Sequence, residues 1–162
     1  MDSEFSNEAI NLQTEFITPA TVNGLFEKYN VPVDVDYVSI DIDSTDLWVF
    51  KAVVSGYSRP RVITVEYNCH FPYTTTLTCS SDCRWRNEDR IFGASVGALK
   101  MVGEAHGYTL VGATEWTDLF FIRSDLIEPH VEPVSEKVSE GRARASGQRR
   151  AASEARLALA LC

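Results

Sequence analysis

The sequence between residues 37 and 68 follows a pattern that few folds can satisfy. A short β-branched stretch, YVSIDI, is followed by STDLWVFKAVVSG, in which apolar residues recur at helical spacing, and then by a second apolar stretch, PRVITVEYN. A strand, a helix and a strand in this order predict a βαβ unit, whose strands are parallel and whose helix covers one face of the sheet. The chain is therefore predicted to be an α/β protein.

Two further helices and a hairpin complete the predicted order. TPATVNGLFEKYN predicts a helix with Thr18 as its N-cap, and GASVGALKMVGEAHGY predicts another with Ser95 as its N-cap. Ser44 or Thr45 is the expected cap of the helix between the first two strands. YTLVGAT and LFFIRSD are strand-like and about five residues apart, which favours an antiparallel hairpin at the edge of the sheet.

The flanking segments differ from this central region. Residues 1–17 are polar and acidic, without the basic and apolar stretches of a signal peptide, and no apolar run of about 18 residues predicts a transmembrane helix. Residues 69–92 form a long loop, of the kind that usually carries function. We therefore divide the chain into an N-terminal segment (1–17), an α/β domain (18–128) and a polar linker with an Ala/Arg-rich helix or tail (129–162).

Charge and cysteine content limit the possible ligands. The net charge of −8 at pH 7 argues against nucleic-acid binding, because phosphate contacts require a basic surface. The four cysteines leave free thiols or one disulfide open. A zinc site would need Cys69, Cys79, Cys83 and His70 together, and their spacing is unlike the usual zinc-ligand patterns.

Acidic and amide side chains follow both strands of the predicted βαβ unit. Asp41 and Asp43 end the first strand, and Glu66 and Asn68 end the second. The carboxyl ends of neighbouring parallel strands meet at one edge of a sheet, and open α/β sheets bind their ligands there. We therefore expect these four side chains to converge.

The loop after the second strand adds two weaker candidates. His70 could act as a base, and Trp85 lies between Arg84 and Arg86, which suggests a stacking contact with a ligand or partner. The alternatives are a surface histidine and a half-buried tryptophan.

Taken in order, these blocks resemble the FkbM-like branch of the class I S-adenosylmethionine-dependent methyltransferases. DYVSIDIDSTDLWVFKAV is similar to the acidic strand-end motif of that family, and PRVITVEYN, GASVGAL, HGYTLVGAT and LFFIRSDLI resemble the blocks that follow it. The resemblance covers about residues 18–127. It implies the C-terminal half of that fold, a Rossmann-like partial three-layer sandwich with a mainly parallel sheet and an antiparallel C-terminal hairpin.

The resemblance also implies an activity, namely methyl transfer from S-adenosylmethionine to a hydroxyl of a small molecule or sugar. Asp41, Asp43 and Glu66 would then be catalytic, while Asn68, His70 and Trp85 would bind the acceptor. These six positions are our candidate site residues, and none of them is assigned to a metal.

Two features of the sequence depart from the family pattern. Ser44 stands where the family usually has glycine, and no strand with a glycine-rich turn precedes Tyr37 to bind the donor. A donor-binding part supplied from elsewhere is one possibility. The other is a non-catalytic derivative, in which the strand at 37–42 has an open edge that a protein partner, a second copy or the N-terminal segment covers.

The acidic residues themselves allow three interpretations. They position or deprotonate a methyl acceptor, as the resemblance implies, or they bind a hard cation such as Mg²⁺ or Ca²⁺. The third interpretation is structural: Asp43 or Asp46 caps the following helix, and the other acids are solvated or paired with Arg59 or Arg61.

Overall fold

The structure is a computed structural model that describes residues 8–84 and 92–127. Trp85 and the segment 129–162, for which the sequence predicts a contact site and a helix or tail, lie outside these ranges. The helices and strands within them are, in chain order, α1 (Val22–Lys28), β1 (Tyr37–Ile40), α2 (Asp46–Val54), β2 (Val62–Glu66), α3 (Val96–Ala105), β3 (Tyr108–Ala113) and β4 (Asp118–Arg123), with short 3₁₀ turns at Glu8–Ile10 and Ser124–Leu126.

The predicted βαβ unit is present. Strands β1 and β2 are parallel, in a register that begins with Tyr37 opposite Val62 and ends with Ile40 opposite Val65. The apolar face that helical spacing predicts for α2 is buried, namely Leu47, Phe50, Val53 and Val54. The ends of β1 and β2 therefore lie side by side at one edge of the sheet.

The antiparallel hairpin is also present at one edge of the sheet, as predicted, and its second strand lies on the inner side. The strand order is β1-β2-β4-β3, so β4 lies between β2 and β3 and is antiparallel to both. The sheet is mixed, with three strands in one direction, and its pairings are mainly antiparallel. This arrangement buries Leu119 and Phe121 of β4 completely, which an edge position would not.

One face of the sheet holds the main core. Ile63 of β2 lies opposite Phe121 of β4, and the rings of Phe121 and Phe50 of α2 have centroids 5.0 Å apart. Helix α3 packs beside α2 on the same face, where a Cβ on Gly103 would lie only 2.7 Å from the Phe121 ring. The helices described on the sheet thus form one layer of the predicted sandwich, and the fold is a mixed α/β domain with an open sheet.

The predicted helix caps have different outcomes. Ser95 is the N-cap of α3, as predicted, and its hydroxyl accepts a hydrogen bond from the Ala98 N–H. The prediction for Thr18 is wrong: the hydroxyl groups of Thr18 and Thr21 hydrogen-bond at 3.0 Å across a turn, and α1 begins only at Val22. No helix within residues 8–84 and 92–127 is long and apolar enough to cross a membrane.

Candidate functional site

The turn that follows β1 is held by the carboxylate of Asp46. Its Oδ1 accepts a hydrogen bond from the Ile42 N–H (2.8 Å), and its Oδ2 accepts one from the Ser44 N–H (3.0 Å). Thr45 is the N-cap of α2, but its side chain makes no capping hydrogen bond. Asp46, which is 0% exposed, therefore organises the turn before α2 and does not cap the helix, which was the role that the structural interpretation gave to it or to Asp43.

The departure at Ser44 is compatible with this turn. The left-handed residue of the turn is Asp43, with a φ of 57°, whereas Ser44 has no positive φ. A Cβ at position 44 is consequently not strained, and the Ser44 hydroxyl donates to the Ile42 carbonyl oxygen at 3.2 Å. Glycine is not needed there for conformational reasons.

The same turn is attached to the long loop between β2 and α3. The Ser44 carbonyl oxygen accepts hydrogen bonds from the Gly93 N–H (2.9 Å) and from the Cys79 thiol (2.9 Å). The indole N–H of Trp48 donates to the Cys79 carbonyl oxygen (2.9 Å), so this tryptophan anchors the loop. These hydrogen bonds hold the loop against the turn, so the loop borders the site on one side.

Three of the four side chains that we expected to converge do so. Carboxylate oxygens of Asp41, Asp43 and Glu66 all lie within 4.8 Å of one another. Asp41 is exposed, the other two are half-buried, and Asp41 and Glu66 are hydrogen-bonded to each other. We call these three residues the acidic cluster.

The fourth side chain is placed differently. Asn68 is 1% exposed, its Nδ2 donates to the Phe92 carbonyl oxygen (2.9 Å), and its Oδ1 accepts from the His70 N–H (2.9 Å). These bonds give Asn68 a structural role at the start of the loop. His70 lies on an exposed turn and outside the acidic cluster.

Burial gives the acidic cluster unusual proton affinities. Burial and the negative charges of Asp46 and Asp41 raise the pKa of Glu66 to about 9, with smaller contributions from Asp43 and Asp118. Partial desolvation of the carboxyl group likewise raises the pKa of both Asp43 and Asp41, although the Asp41 residue as a whole is exposed. At neutral pH Glu66 therefore keeps its proton and donates it in the hydrogen bond to Asp41, which lowers the pKa of that neighbour and partly opposes the effect of burial.

No ion pair between described residues reaches this cluster. Arg61 pairs with Asp36 (3.1 Å) before β1 and β2 begin, so the suggested pairing of Arg61 with the strand-end acids is wrong. Glu66 Oε2 is buried without a hydrogen-bond partner among the described residues. A buried carboxyl oxygen without a donor is costly, and such sites often bind ligands or protons for a function.

Sequence reasoning missed two of the acids. Asp46 was considered only as a cap of the following helix, and its spacing from Ile42 and Ser44 was the available signal that it would bond the backbone of the turn instead. Asp118 faces Glu66 across the β2–β4 pairing, which local sequence does not reveal.

The arrangement suits two kinds of chemistry. A carboxylate that shares a proton with a neighbouring carboxyl can accept a proton from a bound hydroxyl, and three converging oxygens can bind a hard divalent cation. The zinc interpretation is wrong within residues 8–84 and 92–127. The group of potential metal ligands found there is the acidic cluster, which contains neither cysteine nor histidine.

Comparisons of the chain with protein-family models, with curated proteins and with solved structures find no match. The function is therefore inferred from the geometry of the acidic cluster.

Proposed function

We propose that the chain is a methyltransferase-like domain of the FkbM type, in which the acidic cluster binds and deprotonates the hydroxyl group of a methyl acceptor. The observation that carries the proposal is the convergence of Asp41, Asp43 and Glu66 within 4.8 Å at the carboxyl ends of two parallel strands. Open α/β sheets bind their ligands at this edge.

The strand arrangement supports the same proposal. The resemblance implies two parallel strands followed by an antiparallel hairpin, and β1, β2 and the β3–β4 hairpin have these orientations. A Rossmann-like sandwich of this kind would need further strands beside β1, which is the end strand of the described sheet.

Each residue of the acidic cluster has a distinct role in this proposal. Asp41, exposed and hydrogen-bonded to Glu66, accepts the proton of the acceptor hydroxyl. Glu66 stays protonated and stabilises the Asp41 carboxylate before that transfer. Asp43 accepts a hydrogen bond from a neighbouring acceptor hydroxyl and orients it.

The described residues do not fit S-adenosylmethionine. The sequence has a single glycine before Tyr37, Gly24, and it lies inside α1 rather than in a turn after a strand. We therefore derive no step through the donor, which a part outside the described fold or another chain would have to bind.

Two measurements test the activity. The first is calorimetric titration of the full chain with S-adenosylmethionine. The second is transfer of a radiolabelled methyl group to a mixture of sugars and polyols. Asp41→Asn should lower labelling by about 100-fold, the size of a lost general base, whereas Asp36→Asn, at the other end of β1, should leave it unchanged. Absence of binding at millimolar donor would rule out autonomous methyl transfer.

A second candidate function, divalent-cation binding, is favoured by the same 4.8 Å convergence. Oxygen ligands at this spacing suit Ca²⁺ or Mg²⁺, and binding would displace the proton of Glu66. Ca²⁺ alone should raise the melting temperature of the wild type more at pH 8 than at pH 6. The double variant Asp41→Asn/Asp43→Asn should lose this response and Asp36→Asn should keep it. An equal rise in all three proteins would indicate a nonspecific salt effect.

The competing class is a non-catalytic subunit that binds a protein partner or a second copy along residues 37–42. It is favoured by the terminal position of β1 in the strand order, because an end strand can accept another strand. Molar mass from light scattering separates the options: a dimer supports the second copy, and a monomer argues against it.

A further inference from the structure

Two thiols of the long loop lie four residues apart beside the acidic turn. Cys79 is buried and Cys83 is half-buried, and Cys83 is near enough to Cys79 to raise the pKa of its thiol. The chain turns between them, where the Cys83 N–H donates to the Ser80 carbonyl oxygen (3.0 Å). Both residues are in the thiol state rather than in a disulfide.

Cys79 is also part of the framework around the acidic turn. Its thiol donates to the Ser44 carbonyl oxygen (2.9 Å), and its N–H donates to the Gly93 carbonyl oxygen (3.1 Å). Gly93 in turn donates its N–H to the same Ser44 oxygen (2.9 Å). A change at the Cys79 sulfur therefore changes a hydrogen bond of the Ser44 backbone directly.

We propose that Cys79 and Cys83 form a reversible disulfide whose formation removes the thiol donor from Ser44 and loosens the acidic turn. The proposal concerns the thiols and the turn, and it does not rest on methyl transfer or on cation binding.

The chemistry balances with a small-molecule disulfide as the oxidant. The thiolate of Cys83, the more exposed of the two, attacks the oxidant, forms a mixed disulfide and releases one thiol. Cys79 then loses its proton and attacks the sulfur of Cys83, which releases the second thiol. The protein gives up two hydrogen atoms, and the oxidant is reduced to two thiols.

Burial and the neighbouring Cys83 raise the pKa of Cys79 to about 12. In the reduced protein Cys79 is consequently a thiol that donates to Ser44, and this assigns the first attack to Cys83. In the disulfide the Cys79 sulfur has no hydrogen, so the Ser44 carbonyl oxygen keeps only the bond from Gly93. The turn should loosen without unfolding.

The first experiment tests the bond itself. The full chain carrying Cys69→Ser and Cys162→Ser is treated with oxidised glutathione and compared by intact mass with the same protein in dithiothreitol. The expected product is lighter by two hydrogen atoms, resists alkylation by iodoacetamide and returns to the dithiol in dithiothreitol. Adding Cys83→Ser should abolish this product. A stable glutathione adduct alone, or two thiols that remain alkylatable, would overturn the proposal.

The second experiment tests the coupling to the turn by amide hydrogen exchange. The peptide that covers residues 42–47 should exchange about threefold faster in the disulfide form, as expected for one lost hydrogen bond, while the β4 peptide 118–123 should not change. Cys79→Ser is the matched control, since a serine hydroxyl still donates to Ser44 but cannot be oxidised to a disulfide. Unchanged exchange in a protein that has formed the disulfide would contradict the coupling.

Discussion

The two ends of the β1–β2 pair treat their acidic residues in opposite ways. At the amino ends, Asp36 pairs with Arg61 (3.1 Å), and Asp34 and Asp125 both pair with Arg123 (2.6 and 2.8 Å). At the carboxyl ends, no acid of the acidic cluster has a cationic partner among the described residues, and Asp46 and Asp118 add further negative charge nearby.

The acids at the amino ends stabilise the fold slightly through ion pairs, whereas the ionised acids at the carboxyl ends destabilise it. The ion pairs at the amino ends involve exposed acids, where solvent screens the attraction and each pair contributes little. The acids at the carboxyl ends are partly buried, so their ionisation opposes folding. Uncompensated acids at the ligand-binding edge of an α/β sheet are more consistent with a site for a proton, a cation or a hydroxyl than with a role in stability.

The largest expected effect is the pH dependence of the wild type. Protonated Asp46, whose pKa burial raises to about 6, favours folding fully below pH 3.8, and this contribution is lost by about pH 6. Protonated Glu66 favours folding fully below pH 4.5, and its contribution is lost as pH rises towards 9. The free energy of unfolding, measured in urea, should fall by about 4 kcal/mol between pH 4 and pH 8, which is less than the roughly 7 kcal/mol that the two pKa shifts alone would give, because solvent screens the half-buried Glu66. A flat profile would mean that other groups neutralise the acids.

The second prediction isolates Glu66. Glu66→Gln should raise the free energy of unfolding by about 3 kcal/mol at pH 8 and by under about 0.5 kcal/mol at pH 4, because the amide donates to Asp41 without requiring a bound proton. Urea unfolding at both pH values measures this difference. Equal effects at pH 4 and pH 8 would contradict the raised pKa of Glu66.

The third prediction concerns the paired end. Arg123 bonds Asp34, Asp125 and the Arg59 carbonyl oxygen, so Arg123→Ala should lower the melting temperature by a few degrees. Added salt should reduce this loss, since it screens the two ion pairs. Arg61→Ala, which removes a single ion pair, is the matched comparison and should have the smaller effect.

The smallest effect is expected at Asp36. Its side chain is 82% exposed, and Asp36→Asn should change the free energy of unfolding by under about 0.5 kcal/mol at any pH between 5 and 8. A larger, pH-dependent loss would remove the distinction between the two ends of the sheet.

Local patterns predicted the elements of this fold well. Helical spacing identified the buried face of α2, the β-branched stretches identified β1 and β2, and Ser95 was recognisable as a cap. These features depend on residues a few positions apart, and for this reason they are readable in one sequence.

The long-range arrangement was harder to predict. The antiparallel hairpin lies at the edge of the sheet as predicted, but the insertion of β4 between β2 and β3 was not predicted, because it depends on pairing between distant segments. Convergence at the strand ends was predicted for Asp41, Asp43 and Glu66, but Asn68 turned to the loop, where backbone groups of His70 and Phe92 satisfy it. Local periodicity does not encode which donors a side chain meets after folding.

The insertion of β4 also has a consequence for the order of folding during synthesis. Among the strands of residues 8–84 and 92–127, β3 joins the sheet through β4, since β2 and β3 each pair with β4 and not with each other. Within this sheet, both β3 and the second edge of β2 must therefore wait for β4 to emerge from the ribosome. A chain that ends before Asp118 would retain the βαβ unit with an unpaired, apolar edge on β2, which is a surface prone to aggregation.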